Sequence, residues 1–156
     1  MTEATNLSQT RAEFIEKIGL ITQAEGLPRI AGRVFGLLIF DGEAVSFGEL
    51  ASSLQVSRGS ISGSIKLLEE RGLIKRVAKA GDRQDYFQLA SNPYATMLEG
   101  VQKRTRAARA EVQDTIDALP QNAEAKARLQ AYAEFYGSLD TAAGNAITDL
   151  NSKQNT

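Results

Sequence analysis

The stretch SRGSISGSIK, residues 57–66, gathers side chains suited to reading a polar surface. It holds two cations, Arg58 and Lys66, the hydroxyls of Ser57, Ser60 and Ser62, and the bare backbone of Gly59 and Gly63. At about 100° per residue, Ile61, Ile65 and Leu68 fall within about 60° of one another, while Gly59, Gly63, Lys66 and Glu70 take the far side, flanked by Ser60 and Ser62. A glycine inside a helix costs roughly 1 kcal/mol relative to alanine, so a face that tolerates two of them needs compensation. A face kept small, and uncharged except for cations, fits a DNA major groove, where Ser hydroxyls donate to or accept from base edges. The alternative is a helix packed closely on another protein element through its glycines.

The elements around this stretch must aim it. Ser57 is the expected N-cap of a helix running to Arg71. Before it, Ser46-Phe47-Gly48-Glu49 matches a capping box that starts a short helix to about Gln55, with Leu50, Ala51 and Leu54 inward. Two short helices joined by a tight turn, the second more polar, predict a helix-turn-helix. Gly72 ends the second helix. Residues 73–77 and 84–89 then read as two strands around the turn Ala80-Gly81-Asp82, a hairpin with Lys79 and Arg83 at its tip. A basic hairpin following such a helix is a wing. Its Arg83 is placed to enter a narrow, electronegative minor groove, and Asp82 is expected to fold the wing by bonding Arg83 or turn amides.

Charge is distributed to match. The chain of 156 residues has a net charge of −1, yet residues 58–83 carry seven cations (Arg58, Lys66, Arg71, Lys75, Arg76, Lys79, Arg83) against three anions (Glu69, Glu70, Asp82). That local balance of +4 leaves −5 for the other 130 residues. The chain has no Cys and no His, which removes disulfides, thiol switches, structural zinc and imidazole catalysis. No phosphate-binding GxxxxGK[ST] loop and no GxSxG elbow occurs. No catalytic residue, metal ligand or cofactor is therefore assigned, and an enzyme is the weakest of the functional readings. The longest apolar run, Val34 to Phe40, is too short to span a membrane, and the N-terminus lacks a secretory pattern, so a cytoplasmic location is expected.

Further helices surround the basic stretch. Residues 8–25 place Phe14, Ile18 and Ile21 at helical spacing before the stop Gly26-Leu27-Pro28. Residues 28–40 bury Ile30, Val34, Phe35, Leu37 and Leu38, with Gly32 and Gly36 on one face allowing close approach of a neighbour. Asn92-Pro93 opens a long helix to about Leu119, striped by Met97, Val101, Thr105, Ala108, Val112, Ile116 and Leu119. After Pro120 a second long helix is striped by Ala125, Leu129, Tyr132, Tyr136, Leu139, Ala143, Ile147 and Leu150. Helices of this length, about 40 Å each, outreach a winged helix, so a homodimer is expected to cover them and to set two recognition helices about 34 Å apart. The alternative is a monomer whose two long helices pack on each other. The basic run Lys103, Arg104, Arg106 and Arg109 reads as a solvated face with local salt bridges.

The segment SFGELASSLQVSRGSISGSIKLLEERGLIKRV followed by AGDRQDYFQL resembles the winged helix-turn-helix of MarR-type transcriptional regulators, including the wing pair Asp82-Arg83. With GLPRIAGRVFGLLIF before it, and through SRGSIS and GDRQDYF, it is closer still to the GbsR-like branch of that superfamily. The resemblance covers residues 26–90 and implies a homodimeric repressor of a pseudo-palindromic double-stranded DNA operator, released by a small molecule bound between the DNA-binding and dimerisation parts. The expected fold is mainly α with a small β-wing, a winged helix-turn-helix flanked by long dimerisation helices. Residues 1–27 are assigned to the dimerisation region, 28–90 to the DNA-binding domain, 91–150 to the C-terminal dimerisation helices and 151–156 to a disordered tail. The DNA-binding residues are Ser57, Arg58, Gly59, Ser60, Ser62, Gly63, Lys66, Lys79 and Arg83. An apolar or cationic effector would meet Phe14, Ile18, Phe35, Met97, Tyr132, Phe135 and Tyr136, aromatic faces being attractive to cations, unless these residues are plain core. A winged helix that reads another protein rather than DNA is the remaining alternative.

Overall fold

The computed structural model describes residues 2–154 and divides the chain into two compact units, one ending at Pro93 and one beginning at Tyr94. In the first unit, α1 (Glu3–Ala24) and α2 (Arg29–Asp41) are followed by β1 (Val45–Ser46), α3 (Phe47–Leu54), α4 (Arg58–Glu70), β2 (Ile74–Val77) and β3 (Tyr86–Leu89). The second holds α5 (Pro93–Ala118) from Tyr94 onward and α6 (Ala125–Gln154).

Short-range signals set these boundaries. Ser46 caps α3 by accepting the amide of Glu49 at 3.2 Å, and Ser57 caps α4 by accepting that of Ser60 at 3.1 Å. Gly42 ends α2 at a φ of 70°, its amide donating to the Leu38 carbonyl, and Gly72 follows α4 at a φ of 71°. Only glycine adopts this left-handed backbone at no steric cost. The sheet is antiparallel in the order β1-β3-β2, with Val45 opposite Phe87 and Arg76 opposite Phe87 on the other side. Strand β1 is absent from the sequence reading, because two residues are too few to show a period-2 pattern.

The core of the first unit is formed by Val34, Leu37 and Leu38 of α2, Leu50 of α3, Ile61 and Leu68 of α4, and Phe87 of β3, all essentially inaccessible. Burying each large side chain contributes about 1.5–3 kcal/mol. Helix α1 packs on α2 where glycines face each other: a β-carbon on Gly32 would stand 3.0 Å from the α-carbon of Gly19, and one on Gly36 3.0 Å from the Ile18 β-carbon. The contact line of α1 therefore runs through Ile15, Gly19 and Thr22. Ile21, expected to point inward, is instead 52% exposed, because small residues rather than large ones permit the closest helix approach.

Two ionic ties reinforce the same contact. Arg11 grips Asp41 with two hydrogen bonds of 2.8 and 2.9 Å, and Glu16 lies 3.0 Å from Arg29 and 2.8 Å from Arg33. The Nη2 of Arg33 also donates to the Leu54 carbonyl at the end of α3, at 3.1 Å.

In the second unit, α5 and α6 meet through polar pairs. Asp140 accepts from Gln102 at 3.0 Å and from Arg106 at 3.0–3.1 Å, and the Arg109 guanidinium lies where a side chain on Gly137 would sit. Thr105, Ile116, Ala133 and Ala143 are buried, whereas Tyr132 and Leu139 of the expected α6 stripe are exposed in the single chain. The helix continues to Gln154, beyond the expected boundary at 150, with Lys153 paired to Asp149 across one turn. Of the expected disordered tail, residues 151–154 are thus helical, and 155–156 lie outside the described residues.

Candidate nucleic-acid interface

Helix α4 buries Ile61, Ser64, Ile65 and Leu68 against the rest of its unit and leaves its opposite face bare. A β-carbon added at Gly63 would meet nothing within 4 Å, and one at Gly59 would meet only the Ser57 hydroxyl, at 4.0 Å. Within the chain, then, the glycines do not serve helix packing. Ser62 and Lys66 are exposed beside them, while the Ser60 hydroxyl lies 3.0 Å from that of Ser57 and is partly engaged in the cap.

Arg58, at the first position of α4, is not free to wander: its guanidinium carbon lies 4.7 Å from the centre of the Phe47 ring at the start of α3. The turn of the helix-turn-helix thus brings an aromatic platform under the leading cation, a contact of about 0.5–1 kcal/mol at an exposed site. Phe47 went unassigned in the sequence because residues eleven apart on different helices carry no local signal of contact.

The wing follows the same logic. Arg76 on β2 is bound to Glu69 at 3.2 Å and to Asp85 at 3.1 Å, so it braces the hairpin against α4. The other six cations of residues 58–83 form no ion pair among the described residues. At the tip, Lys79 lies 4.2 Å over the ring of Tyr86, and Asp82 accepts the Gln84 amide at 2.9 Å and the Tyr86 hydroxyl at 2.5 Å. The expected turn-amide bond of Asp82 is present. Its other partner is the Tyr86 phenol, with Arg83 left exposed and unpaired among the described residues. The phenol's hydrogen bond, seconded by the Gln84 amide, holds the Asp82 carboxyl below the usual range, and the same bond raises the Tyr86 phenol.

The residues named for an effector divide between the units. Phe35 is core, at 3% exposure, Ile18 closes over Gly36, and Phe14 packs on Phe40 with ring centres 5.7 Å apart. Met97 is half-buried on α5. On α6, the exposed Tyr132 and Phe135 cluster with the half-buried Tyr136, and the two phenol oxygens are 2.6 Å apart.

A helix-turn-helix whose second helix shows a bare face, followed by a three-stranded wing with an unpaired arginine at its tip, defines a winged-helix domain of the nucleic-acid-reading class. The MarR family model matches residues 25–85, which run from the end of α1 to the tip of the wing and stop just before β3. A crystal structure of a transcriptional regulator superposes with a TM-score of 0.68 at 34% identity, covering 92% of this chain and 99% of that one. The HTH-type transcriptional regulator MmpR5 of Mycobacterium tuberculosis is 43% identical over 106 residues, which is 67% of this chain and 62% of the relative. The HTH-type transcriptional repressor OpcR of Bacillus subtilis is 22% identical over 92 residues, 59% of this chain and 50% of the relative. The chain belongs to the MarR family of winged-helix transcriptional regulators. Its alignments span half to about three fifths of the length of these two curated relatives. No helix among the described residues is long and apolar enough to cross a membrane.

Proposed function

We propose that the protein is a sequence-specific DNA-binding repressor that acts as a homodimer. In this reading α4 enters the major groove with Ser57, Arg58, Gly59, Ser60, Ser62, Gly63 and Lys66, while Lys79 and Arg83 of the wing reach the adjacent backbone and minor groove. The observation that carries it is the empty space beyond Gly59 and Gly63: a helix that gives up about 1 kcal/mol per glycine and packs nothing there has kept the face clear for something outside the chain. Steric access and positive charge together suit a duplex.

A second copy is supported by the exposed Tyr132, Phe135 and Leu139 on α6 and by Leu7, Leu20 and Ile21 on α1, since apolar surface of this extent gains from being covered. The quoted motifs favour the GbsR-like branch. We assign release from DNA to a small apolar or cationic molecule. Of the residues named for it, Tyr132 and Tyr136 keep faces available, while Phe35 and Ile18 are engaged in the core.

Binding to the duplex upstream of the protein's own coding sequence, followed by fluorescence anisotropy across salt concentrations, tests the reading. With about four phosphates neutralised per subunit, the log–log slope for a dimer is expected near −7. Equal affinity for scrambled DNA would instead mark a winged helix that reads another protein.

A further inference from the structure

We propose that Tyr86 is a positioning residue for the wing, a phenol latch that fixes where Arg83 is presented without itself touching DNA. The proposal rests on the reading of Arg83 as the wing's DNA anchor.

Eight residues, 78–85, separate the paired ends of β2 and β3, too many for a tight hairpin turn to hold the tip by backbone geometry alone. One backbone bond, from the Asp82 amide to the Lys79 carbonyl at 3.1 Å, closes the tip on itself, and attachments to the sheet fix where that turn sits. Tyr86 is the first residue of β3, paired in register with Val77 on one side and Ser46 on the other, so its backbone is fixed by both neighbours. Phe87, next along, is buried, and strand alternation sends the Tyr86 side chain to the opposite face.

There it collects both flanks of the tip. Its hydroxyl donates to Asp82 at 2.5 Å, and Lys79 lies 4.2 Å over its ring. The same Asp82 carboxylate accepts the Gln84 amide at 2.9 Å, closing the turn across Arg83. Arg83 is thus bracketed by two residues that share one carboxylate, and that carboxylate is tied to a strand in the middle of the sheet order. The Arg83 amide also favours that carboxylate, so Asp82 aims Arg83 through its backbone and no ion pair between the two side chains is needed. A wing presented in one arrangement loses less conformational entropy on binding than a floppy one.

Tyr86→Phe keeps the ring under Lys79 and removes only the phenol oxygen. In the full chain without DNA, amide hydrogen exchange at residues 79–84 is expected to quicken by about three- to ten-fold, the scale of one exposed hydrogen bond, with the global unfolding midpoint unchanged. Asp82→Ala should reproduce the change at the tip. In operator binding, Tyr86→Phe should weaken affinity by a similar factor, yet have no effect once Arg83→Ala is already present. Unaltered exchange at the tip overturns the proposal, as does an equal loss of affinity in both backgrounds. If Arg83→Ala alone leaves binding intact, the DNA-anchor reading and the aiming role fail together, and faster exchange at the tip would then show that the latch orders the turn but positions no DNA contact.

Discussion

The guanidinium of Arg58 stands 4.7 Å above the ring of Phe47, each the first residue of one of two consecutive helices. The geometry of the helix-turn-helix thereby supports the leading cation of the exposed helix from below. Replacing Phe47 with Leu keeps apolar bulk and removes the ring. Operator affinity is expected to fall by about two- to five-fold, with little change in unfolding midpoint. Titration by fluorescence anisotropy checks this, and a variant that binds as tightly as the parent removes Phe47 from the interface.

Gly63→Ala separates stability from function. The space beyond Gly63 is open, so the methyl should stabilise α4 by about 0.5–1 kcal/mol and raise the unfolding midpoint. If the bare face enters a groove, the same methyl should weaken DNA binding. Thermal unfolding and operator titration measured together decide it: a variant that is more stable and binds equally well would place the glycine face away from DNA.

Gly32→Ala should do the opposite. Its new carbon would collide with the buried Thr22 hydroxyl, which is held by its bond to the Ile18 carbonyl, and would stand 3.0 Å from the Gly19 α-carbon, against backbone that cannot rotate away. Helices α1 and α2 must separate, at a cost of about 1–3 kcal/mol. Chemical denaturation should show a lower midpoint, and an unchanged midpoint would mean the two helices slide past each other freely.

The wing should carry a pH signature. The Asp82 carboxyl is lowered from its usual 3.8, chiefly by the Tyr86 hydroxyl, so the order it confers is present above that value and lost only as pH falls through the lowered one. The Tyr86 phenol is raised from 10.0 by the same bond, so on the alkaline side the latch is fully present below 10.0 and lost as pH rises through the raised value. Carbon-13 NMR of the Asp82 carboxyl should show titration below 3.8 in the unaltered protein and an upward move in Tyr86→Phe. No movement between the two would deny the coupling.

Helix caps, stops and the polar face of α4 were legible in the sequence because each is settled within a few residues. Ser46 and Ser57 cap because their hydroxyls reach amides three positions on, and Gly42 and Gly72 stop because the left-handed turn disfavours side chains. The candidate site was legible for the same reason: 58–66 is one helix, and period alone sorts its residues into two faces.

What lay beyond the sequence was decided across the chain. Gly32 and Gly63 are the same residue in the same kind of helix, yet one abuts Gly19 and the other faces empty space. Ile21 reads as core and is exposed, β1 exists only because β3 comes alongside it, and Phe47 and Tyr86 acquire their roles from Arg58 and Asp82. Periodicity and capping are local energies that a short window contains. Whether a side chain meets a neighbour depends on where distant segments pack, and only the tertiary structure supplies that.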